Sequence, residues 1–318
     1  MSIKSIIKNN KLTANIYKII RQHYYDLYWG SFVKNKNEHN DVVFYEGYSK
    51  TKGHSLVKAN WGDDLNCFFF EYITNRKFYF VPFTQMSDSK CCVHYSLIGS
   101  ILGYFNLDNT IVYGSGVIDE NMKFVGTPNK IISVRGPKSR EVLLKNGYDC
   151  PEYYGDPALL LSCFYKPELK KSGKGILIAN MGTSSDNQVV NSLISMLNLD
   201  LLDMTSYNSW TDVIDRIIES EFVISESLHG LIVAETYGIP NVWVEFKDHP
   251  SYWNFKFEDY YKSINKNESI IRLQEDIDIN RIMDKINSWS KGIIDYSSML
   301  NNLPFEIQTQ FKGIYNGF

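Results

Sequence analysis

Short apolar runs alternate with helical stripes along most of the chain. Residues 41–46 (Asp-Val-Val-Phe-Tyr-Glu) read as a first strand. Leu65, Phe68, Phe69, Tyr72 and Ile73 then form an i, i+3, i+4, i+7, i+8 stripe, so a helix is expected with Asp63 or Asp64 as its N-cap. Residues 93–98, 110–113 and 131–134 are further strands, and Pro137 suits the first turn of a helix running to Lys145, with Gly147 as its stop. After a polar stretch at 166–174 the alternation resumes. Strands are expected at 175–179, 199–204, 222–225 and 242–246, with helices at 189–197, 210–219, 228–237 and 277–292, followed by a polar-aromatic tail from 299. In the helix at 228–237 the apolar positions are Leu228, Leu231, Ile232 and Ala234, with Glu235 facing away from them. Strands alternating with helices predict an α/β protein with parallel sheets, and the polar stretch divides it. The expected parts are an extension at 1–40, one domain at 41–168, and a second at 169–318 ending in a helical tail.

Composition narrows the class. The 318 residues are 44% hydrophobic and 14% aromatic, enough for two packed cores. A net charge of −3 gives no reason to expect nucleic-acid binding. The five cysteines (Cys67, Cys91, Cys92, Cys150, Cys163) are odd in number and lack C-x-x-C spacing, so they read as reduced thiols of a cytoplasmic protein and not as zinc ligands. The longest apolar stretch, 158–165, falls well short of the roughly 20 residues that span a bilayer. No signal-peptide core occupies residues 1–10. Residues 1–25 carry Lys4, Lys8, Lys11, Lys18 and Arg21 with no acidic residue, and Ile3, Ile6, Ile7, Ile16, Ile19, Ile20 and Tyr24 share roughly one helical face. Such a helix can pack on a domain or rest on an anionic membrane, which adds peripheral contact at the inner face to the expected location.

The most informative stretch is 222–247. A strand ends at Ser225, the turn Ser225-Glu226-Ser227 leads into a helix whose first turn holds His229 and Gly230, and Gly238 stops that helix before Ile239-Pro240. A turn of this kind points N–H groups and a positive helix end at whatever lies above the sheet edge, which suits a phosphate or carboxylate. Gly99-Ser100, Gly114-Ser115-Gly116 and Arg135-Gly136-Pro137-Lys138-Ser139 follow three earlier strands in the same way. In a parallel sheet all such turns share one edge, so together they predict an anion site.

The string Ser225-Glu226-Ser227-Leu228-His229-Gly230, with Ala234 and Gly238-Ile239-Pro240, resembles the signature of polysaccharide pyruvyl transferases. The Asn60–Asn66 string, the three turns above, Tyr154–Leu161 and the aromatic-charged run Trp253–Tyr261 fall in that family's order. The resemblance implies two Rossmann-like domains around a central cleft, the GT-B-like architecture. It implies transfer of pyruvate from phosphoenolpyruvate onto a sugar, as a cyclic ketal, in a surface polysaccharide or its lipid-linked precursor. Phosphoenolpyruvate is then a substrate, and no cofactor or metal is implied. His229 and Glu226 become the catalytic pair. Arg135, Ser100, Ser115, Ser225, Ser227, Gly230 and Lys256 are expected on the donor, and Asn60 and Asp63 on the acceptor. Many family members carry Arg where this chain has Ser227, so the donor carboxylate needs another cation; Arg135 is expected to supply it.

Two rivals remain at this stage. A nucleotide-sugar glycosyltransferase of the same architecture would need a Glu where Val233 stands, and Glu235 lies about 200° further round the helix. A non-catalytic homologue would scaffold glycan assembly. A nicotinamide dehydrogenase finds no G-x-G-x-x-G turn.

Overall fold

The computed structural model describes residues 41–45, 60–76, 78–82, 93–180, 187–273 and 277–316. The basic helix expected at 1–25, Cys91, Cys92 and the turn residues 181–183 lie outside them. The described strands form two five-stranded sheets. The first contains β1 (Asp41–Tyr45), β2 (Phe78–Pro82), β3 (His94–Ser96), β4 (Thr110–Tyr113) and β5 (Lys130–Ser133) in the order β2-β1-β3-β4-β5. The second contains β6 (Ile176–Ile178), β7 (Asp200–Leu201), β8 (Val223–Ser225), β9 (Asn241–Glu245) and β10 (Ile271–Arg272) in the order β10-β9-β8-β6-β7. Every pairing within them is parallel, as an α/β fold requires. Counted from its own first strand, each sheet runs 2-1-3-4-5. The chain reverses direction across the sheet beside β1 in one case and beside β6 in the other, and such switch points open a crevice at the carboxyl ends of the strands.

Helix α1 (Trp61–Thr74) joins β1 to β2, and α2 (Pro137–Lys145) follows β5. A 3₁₀ turn at Pro157–Leu160 runs into α3 (Leu161–Phe164). Then come α4 (Gln188–Leu197), α5 (Thr211–Glu219), α6 (Leu228–Thr236), α7 (Phe255–Ser263), α8 (Ile279–Asn287) and α9 (Tyr296–Asn301). Several expectations change: the helix expected at 277–292 ends at Asn287, and β2, β10 and α7 add to the expected elements. The N-cap of α1 is Asn60, not Asp63 or Asp64: Asn60 is extended (φ −156°), and its carbonyl accepts the N–H groups of Asp63 and Asp64 at 3.1 and 2.9 Å. Both aspartates therefore sit in the first turn, where the helix end favours negative charge. The strand expected at 199–204 shortens to β7, because the Asp203 carboxylate accepts the N–H of Thr205 at 2.8 Å and turns the chain away. Finally, Glu235 does not face solvent. Every residue of helix α6 except His229 is buried, and Glu235 has 0% exposure. Its carboxylate accepts from Lys266 Nζ (3.2 Å), Trp289 Nε1 (3.3 Å), Asn241 Nδ2 (3.1 Å) and the N–H of Gly292 (2.6 Å). A buried carboxylate persists only with such partners.

One hydrophobic cluster serves both sheets. It takes Trp61, Leu65, Phe69 and Phe70 from α1, Leu159–Leu161 from the mid-chain turn, and Ile176, Val223, Leu231 and Tyr260 from the second half. The Trp61 N–H donates to Met204 O at 3.0 Å, and its indole donates to Trp210 O at 2.7 Å. The N-terminus of α1, which belongs to the first sheet, is thereby fastened to the second. Cys67, Cys150 and Cys163 are buried and are not joined in disulfides.

Candidate active site

The site follows from how β8 hands over to α6. The Ser225 hydroxyl accepts the N–H of Ser227 and donates to its carbonyl, both at 2.9 Å, closing a tight turn. Ser227 is the N-cap of α6, its hydroxyl accepting the N–H of Gly230. A methyl group on Gly230 would stand 2.7 Å from Ser225 Oγ and from Ile178 Cδ1, so only glycine lets α6 pack so closely on the strand ends. These three residues build the turn that carries His229.

Glu226 occupies the middle of the same turn and is 3% exposed. Its Oε1 accepts the N–H of Phe246 at 2.8 Å and its Oε2 that of Asn180 at 3.1 Å. The carboxylate thus ties the ends of β6, β8 and β9 together.

His229 points across to the other sheet. A methyl group built on Gly62 would overlap its ring, 2.7 Å from Cε1 and 2.5 Å from Cγ, with Nδ1 closer still. The first turns of α1 and α6, each at the switch point of its own sheet, therefore meet through a glycine and an imidazole. His229 Nε2 is buried with no hydrogen-bond partner among the described residues. Burial, then Lys256, then Arg135 lower the imidazole from its ordinary value to about 3. It is neutral at rest, and two cations lie near enough to bias it.

On the α1 side, Asn60 Nδ2 donates to Asp63 Oδ2 at 2.6 Å. Asn66, part of the same string, accepts the N–H of Ile98 and donates to its carbonyl, both at 2.9 Å, which fixes the loop leading to Ser100. Ser115 is buried and shares a 2.7 Å hydrogen bond with Ser96, joining the ends of β3 and β4.

Arg135 was expected to present its guanidinium to a ligand. Instead it has 0% exposure, with three donors engaged: Nε to Asp259 Oδ2 at 3.0 Å, Nη2 to Val117 O at 2.8 Å, and Nη1 to Ser100 Oγ. Its guanidinium lies flat on Gly116, where a methyl group would stand 2.5 Å from Cζ. Buried arginine needs a carboxylate nearby, and the chain supplies one from α7. Lys256, on the same helix, is partly buried with its ammonium over the Trp253 ring (3.4 Å to the centroid). The other side chain stacked on Trp253 is His249, at 4.7 Å between centroids and 12° between planes; its pKa is lowered by burial despite Glu245 and Glu226. Asp259, Asn66 and His249 are site residues that sequence reading missed. The first two lie inside strings that the resemblance covers, and only their partners, far off in the chain, reveal what they do. Among the described residues no cluster of His, Cys, Asp and Glu could hold a metal ion.

Asp156 is a further buried carboxylate in this region. Its Oδ1 caps the 3₁₀ turn through the Ala158 N–H at 3.0 Å, while Oδ2 is buried without a partner among the described residues. Burial raises its pKa to about 6, against the Ala158 bond and the Arg135 charge, which lower it. A folded-state pKa above the unfolded one favours the protonated acid. That stability is fully present below about pH 4 and lost as pH rises through 6. Asp156→Asn keeps the cap and removes the charge. The variant is expected to be more stable than wild type at pH 7.5, by on the order of 2 kcal/mol, and to lose that advantage at pH 4. Urea unfolding at both pH values checks this; an equal loss of stability at both would refute it.

A family model described as polysaccharide pyruvyl transferase matches residues 3–248. The chain is also 26% identical over 217 residues to "Uncharacterized protein L143" of Acanthamoeba polyphaga mimivirus, covering 65% of this chain and 72% of that protein.

Proposed function

The chain belongs to the polysaccharide pyruvyl transferase family, and from that membership we propose that it moves pyruvate from phosphoenolpyruvate onto two hydroxyls of one glycan sugar, as a cyclic ketal. The observation that carries the proposal is the meeting of His229 and Gly62 between two switch-point helix ends, with an unpartnered Nε2 and the Lys256 charge close by.

The reaction adds one proton to the methylene carbon of the donor, making C2 electrophilic. One sugar hydroxyl attacks C2 and gives up its proton. The C2–O bond to phosphate breaks, and the second hydroxyl closes the ring, releasing another proton. Of the two protons released, one balances the methylene carbon and the other leaves on phosphate. In this reading neutral His229 takes the first hydroxyl's proton as that oxygen reaches C2 and hands it to the methylene carbon in the same step, then relays the second hydroxyl's proton to the departing phosphate. Burial, then Lys256 and Arg135, keep the imidazole neutral; a bound dianion beside the ring supplies the missing counter-charge, so the imidazolium becomes stable only when donor is present. Lys256 is the cation for the donor, replacing the family arginine absent at Ser227. Arg135, Ser100 and Ser115 support that site from below. Ser225, Ser227 and Gly230 bring the α6 N-terminus to it. Glu226, whose two oxygens already accept N–H bonds, holds the strand ends, so the proton work rests on His229. Asn60 and Asp63 face the acceptor.

The matched strand order of the two sheets supports a GT-B-like division into domains at 41–168 and 169–318. A lipid-linked acceptor would suit a cytoplasmic enzyme whose basic extension, 1–40, contacts the membrane.

Isothermal titration of the full chain tests the donor. Phosphoenolpyruvate is expected to bind and UDP is not, since Glu235 is consumed by Lys266, Trp289 and Gly292 and cannot hold a ribose. Binding of UDP without phosphoenolpyruvate would replace this reading with nucleotide-sugar transfer.

A further inference from the structure

The turn after β5 has the makings of an anion site: a guanidinium, a serine hydroxyl and the N-terminus of α2. That position is filled from within the chain. Asp259 Oδ1 accepts the Ser139 N–H at 2.9 Å, and Asp259 Oδ2 accepts the Ser139 hydroxyl at 2.6 Å and Arg135 Nε at 3.0 Å. Both charged partners are wholly buried. Gly136 permits the approach, since a methyl group there would collide with the Asp259 backbone and stand 2.6 Å from its Oδ1. Neighbouring contacts reinforce the seat. Lys138 pairs with Glu258 and lies 4.5 Å from the centroid of Phe255, while Phe255 joins the cluster of Val134 and Val142 from the first half. On the other side of the helix, Phe257 stacks on Trp243 of β9 at 4.4 Å.

Helix α7 is thus clamped between the two halves, and Lys256 stands one turn before Asp259 on the same face. We propose that Asp259 is a positioning residue of the donor site: seated in the Arg135–Ser139 socket, its carboxylate sets the rotation and height of α7 and so holds Lys256 beside His229. The claim rests on the reading of Lys256 and His229 as donor-binding residues, and it makes the socket a part of donor affinity as well as of the fold. Ion pairs with three charge-assisted bonds fix geometry more tightly than packing alone.

A double-mutant cycle on the full chain decides it, read as phosphoenolpyruvate affinity by isothermal titration. Asp259→Asn is expected to weaken binding by about tenfold, a shift of roughly 1.4 kcal/mol. Lys256→Met is expected to weaken it at least as much, and the double variant to bind no worse than Lys256→Met. If Asp259 only stabilised the fold, the thermal midpoint would drop and the two effects would multiply, which would overturn the proposal, as would unchanged affinity in Asp259→Asn. A ligand-free measurement runs beside the cycle: the ¹⁵N shifts of the His229 ring. Asp259→Asn and Lys256→Met should displace them alike, with no further displacement in the double variant; wild-type shifts in either single variant would also overturn the proposal. Should wild type fail to bind phosphoenolpyruvate, the donor reading falls while the ring shifts still decide the role of Asp259. If Asp259→Asn does not fold, Ser139→Ala, which removes one bond of the three, carries both measurements with a smaller effect in the same direction.

Discussion

Alanine at position 62 is expected to lower kcat by about 10²-fold or more, because it drives the His229 ring from its place. Local propensity argues the other way. Gly62 sits in the first turn of α1 with ordinary backbone angles, and alanine in a helix is favoured over glycine by up to about 1 kcal/mol. The added methyl group, however, meets the imidazole at 2.5–2.7 Å and closer. Neither backbone can withdraw, so the ring must move. Trp61 is tied to Met204 and Trp210, and α6 is held by Ser225 and Gly230 against the strand ends. Overpacking of this kind costs roughly 1–3 kcal/mol, so the clash outweighs the propensity and the variant should be both slower and less stable. Steady-state kinetics with phosphoenolpyruvate and a thermal melt together check this. A variant that is more stable and fully active would mean that His229 moves freely between the helix ends.

Loss of the imidazole itself should cost more. His229→Gln keeps a polar group in the same space but cannot take up and return a proton, and kcat/KM is expected to fall by about 10³–10⁴-fold. The pH dependence adds a distinguishing mark. Free enzyme holds His229 neutral down to about pH 3, so kcat/KM should show no acid limb from this residue between pH 5 and 8. In the complex the donor dianion gives a counter-charge to a ring that burial, Lys256 and Arg135 keep neutral, which raises the imidazole toward the working range, and kcat should acquire a limb that His229→Gln lacks. An acid limb near pH 6.5 in kcat/KM of wild type, absent from the variant, would contradict the neutral resting state.

Much of the architecture was legible in the sequence because strands and helices announce themselves by period. The apolar runs at 110–113 and 131–134, and the stripe from Leu65 to Ile73, became β4, β5 and α1 within a residue or two. The turns were legible for the same reason, since glycine and serine at strand ends have local causes. What local pattern cannot convey is which distant group fills a turn. Arg135 and Ser139 look like a ligand socket until Asp259, 120 residues beyond Ser139, is found in it. Glu235 reads as a polar-face residue because its four partners lie elsewhere in the chain. Gly62, inside the Asn60–Asn66 string, carries no local sign that its missing side chain makes room for an imidazole on α6. In each case the decisive neighbour is far away in sequence, so no window of residues could have contained the answer.

Glu235 also separates two meanings of a boundary. The family match ends at residue 248, but Lys266, Trp289 and Gly292, which together keep that buried carboxylate tolerable, all come later. Residues beyond 248 are thus not an appendage to a finished unit. They neutralise a charge placed near the C-terminal end of α6, the helix whose other end carries His229. A chain cut at residue 248 would leave Glu235 with Asn241 alone of its four partners.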